Sequence, residues 1–191
     1  MTTTLVTGPV RSGKSRHAED LLSQHAVVRY VATGRPADPA DPEWAHRVAA
    51  HQARRPGGWR TIETHDIPVA LADAATPVLI DCLGTWLTAV VDEVGWDDLS
   101  AAKDHVGAVS PALVHSLTAA TVPVVVVTNE VGWSLVPTTP SGRFFQDELG
   151  RLNAAVSRAF THVHLVVAGR VLDLTDAPLV PVRPRPLTLD A

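Results

Sequence analysis

The sequence predicts an α/β fold in which helices cover both faces of a mostly parallel β-sheet. Short apolar runs, often β-branched, alternate along the chain with longer segments of helical character, which is the βαβ order of a doubly wound sheet. Several runs are apolar at every position, as is typical of parallel strands that are buried on both faces. Strands are predicted at residues 3–7, 27–32, 78–80, 122–128 and 162–168, and helices at residues 14–23, 42–54, 85–93, 100–120 and 141–160.

The first predicted strand leads directly into a complete phosphate-binding sequence, G-x-x-x-x-G-K-S, and then into a helical segment. Gly8 and Gly13 allow the backbone to turn its amide hydrogens toward phosphates, and the helix adds the positive end of its dipole. Lys14 is expected to reach the outer phosphates and Ser15 to bind Mg²⁺. This context predicts a P-loop NTPase with a three-layer, RecA-like fold. The predicted loop residues are Gly8, Pro9, Val10, Arg11, Ser12, Gly13, Lys14 and Ser15.

The second predicted helix begins the most basic part of the chain. Residues 44–63 concentrate histidine and arginine in a sequence that has 16 Lys and Arg against 20 Asp and Glu. Several of these basic side chains are spaced to fall on neighbouring turns of a helix. Two interpretations stay open, a solvated basic helix or a surface that binds a polyphosphate. The residues concerned are His46, Arg47, His51, Arg54 and Arg55.

Two later strands end in polar residues at the edge where the active-site loops of open α/β sheets collect. The strand at residues 78–80 runs into Asp81, which fits the carboxylate that helps to hold Mg²⁺ in phosphate-loop proteins. The alternative is that Asp81 caps the following helix. The strand at residues 122–128 is followed by Asn129 and Glu130.

The composition limits the class of protein. A net charge of −4 and a pI near 6.1 give no basic face for nucleic acid. Cys82 is the only cysteine, so no intrachain disulfide can form. The sequence also has no signal-peptide pattern at its start and no apolar run long enough for a membrane span. We therefore expect a cytoplasmic protein with one catalytic domain at residues 1–173 and a proline-rich tail at residues 174–191.

Further blocks of sequence follow the phosphate loop in an order that resembles one known family. The most distinctive are the segment around His51 and the run Thr-Asn-Glu-Val-Gly at residues 128–132. With them, the chain resembles the bifunctional adenosylcobinamide kinase / adenosylcobinamide-phosphate guanylyltransferase of cobalamin biosynthesis. The resemblance runs from about residue 5 to residue 169, and its blocks are residues 15–19, 30–33, 47–63, 79–88, 127–137 and 150–153.

The resemblance implies a two-step enzyme. A phosphoryl group first passes from ATP or GTP to adenosylcobinamide. His51 then attacks the α-phosphate of GTP, and the resulting guanylyl-histidine passes GMP to adenosylcobinamide phosphate, giving adenosylcobinamide-GDP. Lys14 is the second catalytic residue, and Mg²⁺ is expected at Ser15 and Asp81. Thr33, Gly34 and Glu63 resemble positions that contact the nucleotide in this family, and the predicted nucleotide-binding set also includes Arg54, Arg55 and Asp81.

Some roles stay open beside this implication. Glu63 is expected either to accept hydrogen bonds from guanine N1 and N2 or to pair with a nearby arginine. Arg54 and Arg55 either clamp phosphate oxygens or are solvated. Asn129 and Glu130 either bind the corrinoid or order the loop that follows them. The tryptophans either pack in the core or an interface or form a corrinoid-stacking surface; they are Trp44, Trp59, Trp86, Trp96 and Trp133.

Two other classes of function are compatible with the phosphate loop. One is another P-loop small-molecule kinase, because the scaffold does not select the acceptor. A plain kinase would need no histidine nucleophile. The other is a non-enzymatic GTP-binding switch, which is disfavoured because the sequence has no Asn-Lys-x-Asp motif. The resemblance further implies a homotrimer whose binding partners are the nucleotides and the corrinoid.

Overall fold

A seven-stranded sheet forms the centre of the residues that the computed structural model describes, 1–181. The strands are β1 Thr3–Thr7, β2 Arg29–Ala32, β3 Arg60–Glu63, β4 Val78–Asp81, β5 Val124–Val127, β6 His162–Val167 and β7 Arg170–Asp173. The helices are α1 Lys14–Leu21, α2 Pro42–Ala53, α3 Ile67–Ala72, α4 Leu83–Asp92, α5 Leu99–Ala119 and α6 Pro140–Ala159.

The strand order is β3-β2-β4-β5-β1-β6-β7. All neighbouring strands are parallel except β6 and β7, which pair antiparallel. In this register Val127 of β5 lies opposite both Val6 of β1 and Asp81 of β4. The carboxyl ends of the three central strands therefore meet at one edge, and the predicted mostly parallel α/β sheet is confirmed.

The side chains of the central strands alternate between two hydrophobic cores. One core contains residues from α3, α4, α5 and α6, and the other contains residues from α1. Successive residues of a strand point to opposite faces, so an uninterrupted apolar run fills both cores. The strand residues of the first core include Leu5, Val78, Ile80, Val124 and Val126, and those of the second include Val6, Leu79, Val125 and Val127.

Several helices begin at a polar side chain that accepts a backbone N–H. The Asp41 carboxylate accepts from the Trp44 N–H at 3.1 Å at the start of α2, and Thr139 Oγ1 accepts from the Gly142 N–H at 3.1 Å at the start of α6. Such caps satisfy donors that the first helical turn leaves free. Among the described residues, no helix combines the length and the apolar character that crossing a bilayer requires.

Three elements were not predicted from the sequence: β3, α3 and β7. All residues of β3 and β7 are exposed, so neither strand has the apolar pattern of the central strands. The helix α3 has six residues, too few for a periodic signal. Of the predicted tail, residues 182–191 lie outside the described residues. Before them, the Leu174 N–H donates to the Val163 carbonyl at 2.8 Å.

Candidate active site

The phosphate loop joins β1 to α1 at the carboxyl edge of the sheet. Gly8 has a φ of 156° and Gly13 a φ of 100°, conformations that cost glycine little. A Cβ atom on Gly8 would also lie 2.2 Å from the carbonyl oxygen of Val166 in β6. The Gly169 N–H donates to the Ser12 carbonyl at 3.1 Å, so the turn between β6 and β7 holds the loop from one side. The loop conformation therefore depends on a neighbouring strand as well as on its own glycines.

Lys14 is the first residue of α1, and it is only 9% exposed. Its Nζ atom donates to the Pro9 carbonyl at 3.3 Å, so the ammonium group folds back over the loop. Burial lowers the pKa of Lys14 below its ordinary value, and the nearby Cys82 and Asp81 oppose that effect. A partly desolvated ammonium group gains from an added anion. The burial of Lys14 therefore favours the binding of a phosphate group.

A carboxylate, a phenol and an imidazole meet where β4 ends. The Tyr30 hydroxyl donates to Asp81 Oδ2 at 2.8 Å, and His51 Nδ1 lies 3.7 Å from the same oxygen. The Asp81 side chain is 11% exposed. Cys82, not Asp81, is the N-cap residue of α4, so the alternative in which Asp81 caps that helix is wrong.

The helix α2 carries His51 and is attached through the residues at its carboxyl end. No residue of α2, which the structure describes in full, is buried. Arg54 Nε and Nη2 donate to the two carboxylate oxygens of Glu19 in α1, at 3.3 and 3.2 Å. The Arg55 guanidinium carbon lies 3.4 Å from the centre of the Tyr30 ring. Both arginines therefore hold the end of α2 over the sheet, close to the phosphate loop.

Burial lowers the pKa of His51 below 6.5, and the nearby Asp81 carboxylate only partly opposes this effect. At neutral pH the imidazole is therefore mostly uncharged. An uncharged imidazole is the form that acts as a nucleophile.

A cleft of about 720 Å³ lies between the loop after β2 and the helix α4. At one end, the Thr33 and Thr85 hydroxyl oxygens lie 2.7 Å apart, and the Cys82 N–H donates to Thr33 Oγ1 at 3.0 Å. Gly34 and Glu63 also line the cleft. Within residues 1–181, Glu63 forms no ion pair with an arginine, so its carboxylate is open to the cleft.

The segment after β5 is tied to the phosphate loop. The Thr7 hydroxyl donates to Glu130 Oε1 at 2.6 Å, and the Glu130 N–H donates to the Gly8 carbonyl at 3.1 Å. Asn153 of α6 donates its Nδ2 hydrogen to the Asn129 carbonyl at 3.0 Å. These contacts favour the loop-ordering role for Asn129 and Glu130.

Comparison with known proteins agrees with this geometry. The sequence profile of the family described as cobinamide kinase / cobinamide phosphate guanyltransferase matches residues 4–174. The chain belongs to this family. Its phosphate loop, His51 and the cleft residues all lie within the matched segment, and the resemblance stated from the sequence is confirmed.

Two relatives of this chain illustrate the match. The bifunctional adenosylcobalamin biosynthesis protein CobU of Escherichia coli strain K12 is 36% identical over 175 residues, which cover 86% of this chain and 95% of the relative. The bifunctional adenosylcobalamin biosynthesis protein CobP of Pseudomonas aeruginosa is 35% identical over 183 residues, or 92% of this chain and 98% of the relative.

The site residues predicted from the sequence fall into three groups in this fold. Residues 8–15 form the loop around Lys14. His51 and Asp81 adjoin the loop, with Arg54 and Arg55 bound to protein side chains. Thr33, Gly34 and Glu63 line the cleft beside them.

The predicted Mg²⁺ ligands fit that ion by their chemistry. Ser15 lies in the first turn of α1 and offers a hydroxyl oxygen, and Asp81 offers a carboxylate that Tyr30 orients. Mg²⁺ prefers such oxygens and commonly completes its shell with water and substrate phosphates. Residues 1–181 contain no group of three or more His, Cys, Asp or Glu that could hold a metal ion. An ion that binds together with nucleotide phosphates does not need one.

Sequence reasoning assigned no role to two residues that shape this site, Tyr30 and Glu19. Tyr30 is 1% exposed and donates to Asp81, while Glu19 is 8% exposed and binds Arg54. The available signal was a tyrosine inside an otherwise apolar strand, because a buried phenol needs a hydrogen-bond partner.

Proposed function

We propose that this protein phosphorylates adenosylcobinamide with ATP or GTP and then transfers GMP from GTP, through a guanylyl group on His51, to adenosylcobinamide phosphate. The product is adenosylcobinamide-GDP. The observation that carries the proposal is the position of the His51 imidazole, 3.7 Å from an Asp81 carboxylate that follows β4 at the same sheet edge as a complete phosphate loop. A phosphate loop alone would serve any kinase.

In the kinase step, the loop amides and Lys14 bind the β- and γ-phosphates and stabilise the charge that spreads over the transferred group. Mg²⁺ held with the help of Ser15 and Asp81 would supply further charge neutralisation. Lys14 is suited to this role because its ammonium group is partly desolvated, which strengthens its attraction to phosphate. The acceptor hydroxyl of the corrinoid attacks the γ-phosphorus, and the bond from that phosphorus to the oxygen of the β-phosphate breaks. The nucleoside diphosphate leaves with the electron pair, and the hydroxyl proton passes to solvent water.

In the guanylyl step, the orientation of His51 supports attack by Nε2. Its Nδ1 atom faces the Asp81 carboxylate, which favours the tautomer that carries the proton on Nδ1. The Nε2 lone pair then forms a bond to the α-phosphorus of GTP, and the bond to the leaving pyrophosphate breaks. Asp81 stabilises the positive charge that the imidazole gains. Lys14 stabilises the pyrophosphate.

The second half of this step regenerates the imidazole. A phosphate oxygen of adenosylcobinamide phosphate attacks the same phosphorus, and the bond from phosphorus to His51 Nε2 breaks. The electron pair returns to Nε2, so no proton or external reagent is consumed. A phosphoramidate is reactive enough for this transfer.

The intact mass of the protein after incubation with GTP and Mg²⁺ tests the proposal. We expect wild type to gain an acid-labile mass equal to one guanylyl group, which is GMP less one water, and His51→Ala to gain none. His46→Ala is the matched control, because this exposed histidine lies on the same helix. An adduct on His51→Ala, or none on wild type although GTP binds, would reject the histidine nucleophile. In the second case a plain kinase becomes the better hypothesis.

The cation, the assembly, the compartment and the domain bounds are also proposals. We propose Mg²⁺ as the cation, held with the help of Ser15 and Asp81, and a homotrimeric, cytoplasmic enzyme with one catalytic domain at residues 1–173. The family relationship supports Mg²⁺ as the cation and the trimer as the assembly. Sedimentation velocity would test the trimer.

A further inference from the structure

Trp44 is held in one orientation at the amino-terminal end of α2. Its indole Nε1–H lies 3.0 Å from the Arg35 carbonyl oxygen and 3.2 Å from the Pro36 carbonyl oxygen. The Arg35 guanidinium carbon lies 5.6 Å from the centre of the indole ring. The edge of the ring packs near Gly34, where an added Cβ atom would meet it at 3.1 Å. The indole is therefore a fixed, half-buried plane rather than a freely rotating side chain.

This plane lines the same cleft as Thr33, Thr85 and Glu63. Trp44 and His51 are seven residues apart, so they lie near the same face of α2, separated by about 10 Å along its axis. His51 is not among the residues that line the cleft, and Thr33 is the lining residue that leads toward it. Thr33 is hydrogen-bonded to Cys82, which follows the Asp81 that His51 approaches.

The charges along the cleft fix the direction in which a nucleotide would lie. The phosphates belong at the phosphate loop and Lys14, which lie outside the cleft. The cleft receives the other end of the nucleotide. It is lined by the carboxylates of Glu63, Asp92 and Glu93 and by Arg35, which is paired with Asp41, so the net negative charge of the lining would repel phosphates. Carboxylates accept hydrogen bonds from the N–H groups of a purine. A base, not a phosphate, is the group that suits this end.

We infer that Trp44, with Arg35 beside it, is the stacking wall for the base of the nucleotide whose α-phosphate reacts with His51. The inference rests on the proposed guanylyl transfer for the position of the α-phosphate. Both the indole and the guanidinium are planar groups on which nucleobases stack. Stacking does not distinguish one purine from another, so selection for guanine falls to the cleft carboxylates, with Glu63 as its main candidate.

The first test measures GTP affinity without any transfer reaction. Calorimetry compares His51→Ala with the double variants that add Trp44→Ala or Trp44→Phe. We expect the alanine double variant to bind GTP about 5- to 150-fold more weakly, since stacking on one aromatic ring contributes about 1–3 kcal/mol per base. The phenylalanine double variant should recover most of that affinity. An unchanged affinity in the alanine variant, or no recovery with phenylalanine, would overturn the inference.

The second test uses the reaction itself and separates this inference from the proposed function. In the otherwise wild-type chain, Trp44→Ala should raise the KM for GTP in guanylyl-enzyme formation with little change in kcat. Glu43→Ala, at the preceding exposed position, is the control for disturbance of the helix start. A fall in kcat with unchanged KM would assign Trp44 a purely structural role. Failure of wild type to form the adduct would reject the proposed function and leave the calorimetric test of Trp44 intact.

Discussion

The attachment of α2 to α1 offers a quantitative test of how the candidate nucleophile is positioned. Arg54 donates two hydrogen bonds to Glu19, whereas α2 itself, which the structure describes in full, buries no residue. We therefore expect Arg54→Ala and Glu19→Gln to destabilise the fold and to slow guanylyl transfer to His51. Phosphoryl transfer should be affected less, because it does not require α2 to present a side chain.

The structure sets the size of the expected effect. Hydrogen bonds to charged groups contribute about 1.5–3 kcal/mol, and exposed ion pairs about 0.2–1 kcal/mol. The Arg54 side chain is 34% exposed and both distances exceed 3.1 Å, so we expect a coupling energy of about 1 kcal/mol. Arg54→Ala should cost more, about 2 kcal/mol, because it leaves the Glu19 carboxylate buried without its partner.

Urea unfolding of wild type, both single variants and the double variant measures the coupling energy directly. All four proteins should be compared at one protein concentration, because self-association would shift the apparent stability. A coupling energy below about 0.3 kcal/mol would refute the reasoning, since that is the scatter expected of independent sites. If Arg54→Ala then also weakened GTP binding, Arg54 would act on phosphate, as the sequence first suggested.

Three further outcomes are expected. Because burial lowers the pKa of His51, the single-turnover rate of guanylylation at pH 6.5 should exceed half of its maximum and decline only at lower pH; a midpoint above pH 6.5 would contradict this. Gly8→Ala should abolish GTP binding by calorimetry, because its Cβ would lie 2.2 Å from the Val166 carbonyl, whereas Gly107→Ala meets no atom within 4 Å and should bind normally. Leu117→Ala, at a fully buried position, should lower the free energy of unfolding by about 2–5 kcal/mol in urea titrations; a loss below 1 kcal/mol would mean that the core refills the space.

The central part of the fold was predictable because its signals are local. Strand β5 is apolar at every position, and β1 carries Leu5 and Val6 between threonines. Both strands are bounded by turn residues and buried throughout, with 4% or less exposure at Leu5, Val6 and Val124 to Val127. The edge strands β3 and β7 carry no such pattern. Backbone pairing with β2 and β6 defines them, and pairing of that kind is a property of the assembled sheet.

The same division applies to the site. The phosphate loop was predictable because its function resides in a contiguous backbone segment and its glycines. His51 and Asp81 were each identified as candidates, but from the sequence nothing beyond the family resemblance connected them. Their approach to 3.7 Å depends on the carboxyl end of α2 lying near the end of β4, and the contacts of Arg54 and Arg55 stabilise that position.

By itself, then, the sequence determined the α/β class, the phosphate loop, the family and the histidine with a candidate catalytic role. Only the tertiary structure decided that Tyr30 orients Asp81, that Arg54 binds Glu19 and that Trp44 lines one cleft with Thr33 and Glu63. The physical reason is distance along the chain. Tyr30 and Asp81 are 51 residues apart, and Arg54 and Glu19 are 35 residues apart. Contacts over such separations form only when the hydrophobic faces of the sheet and helices pack and bring the polar groups together.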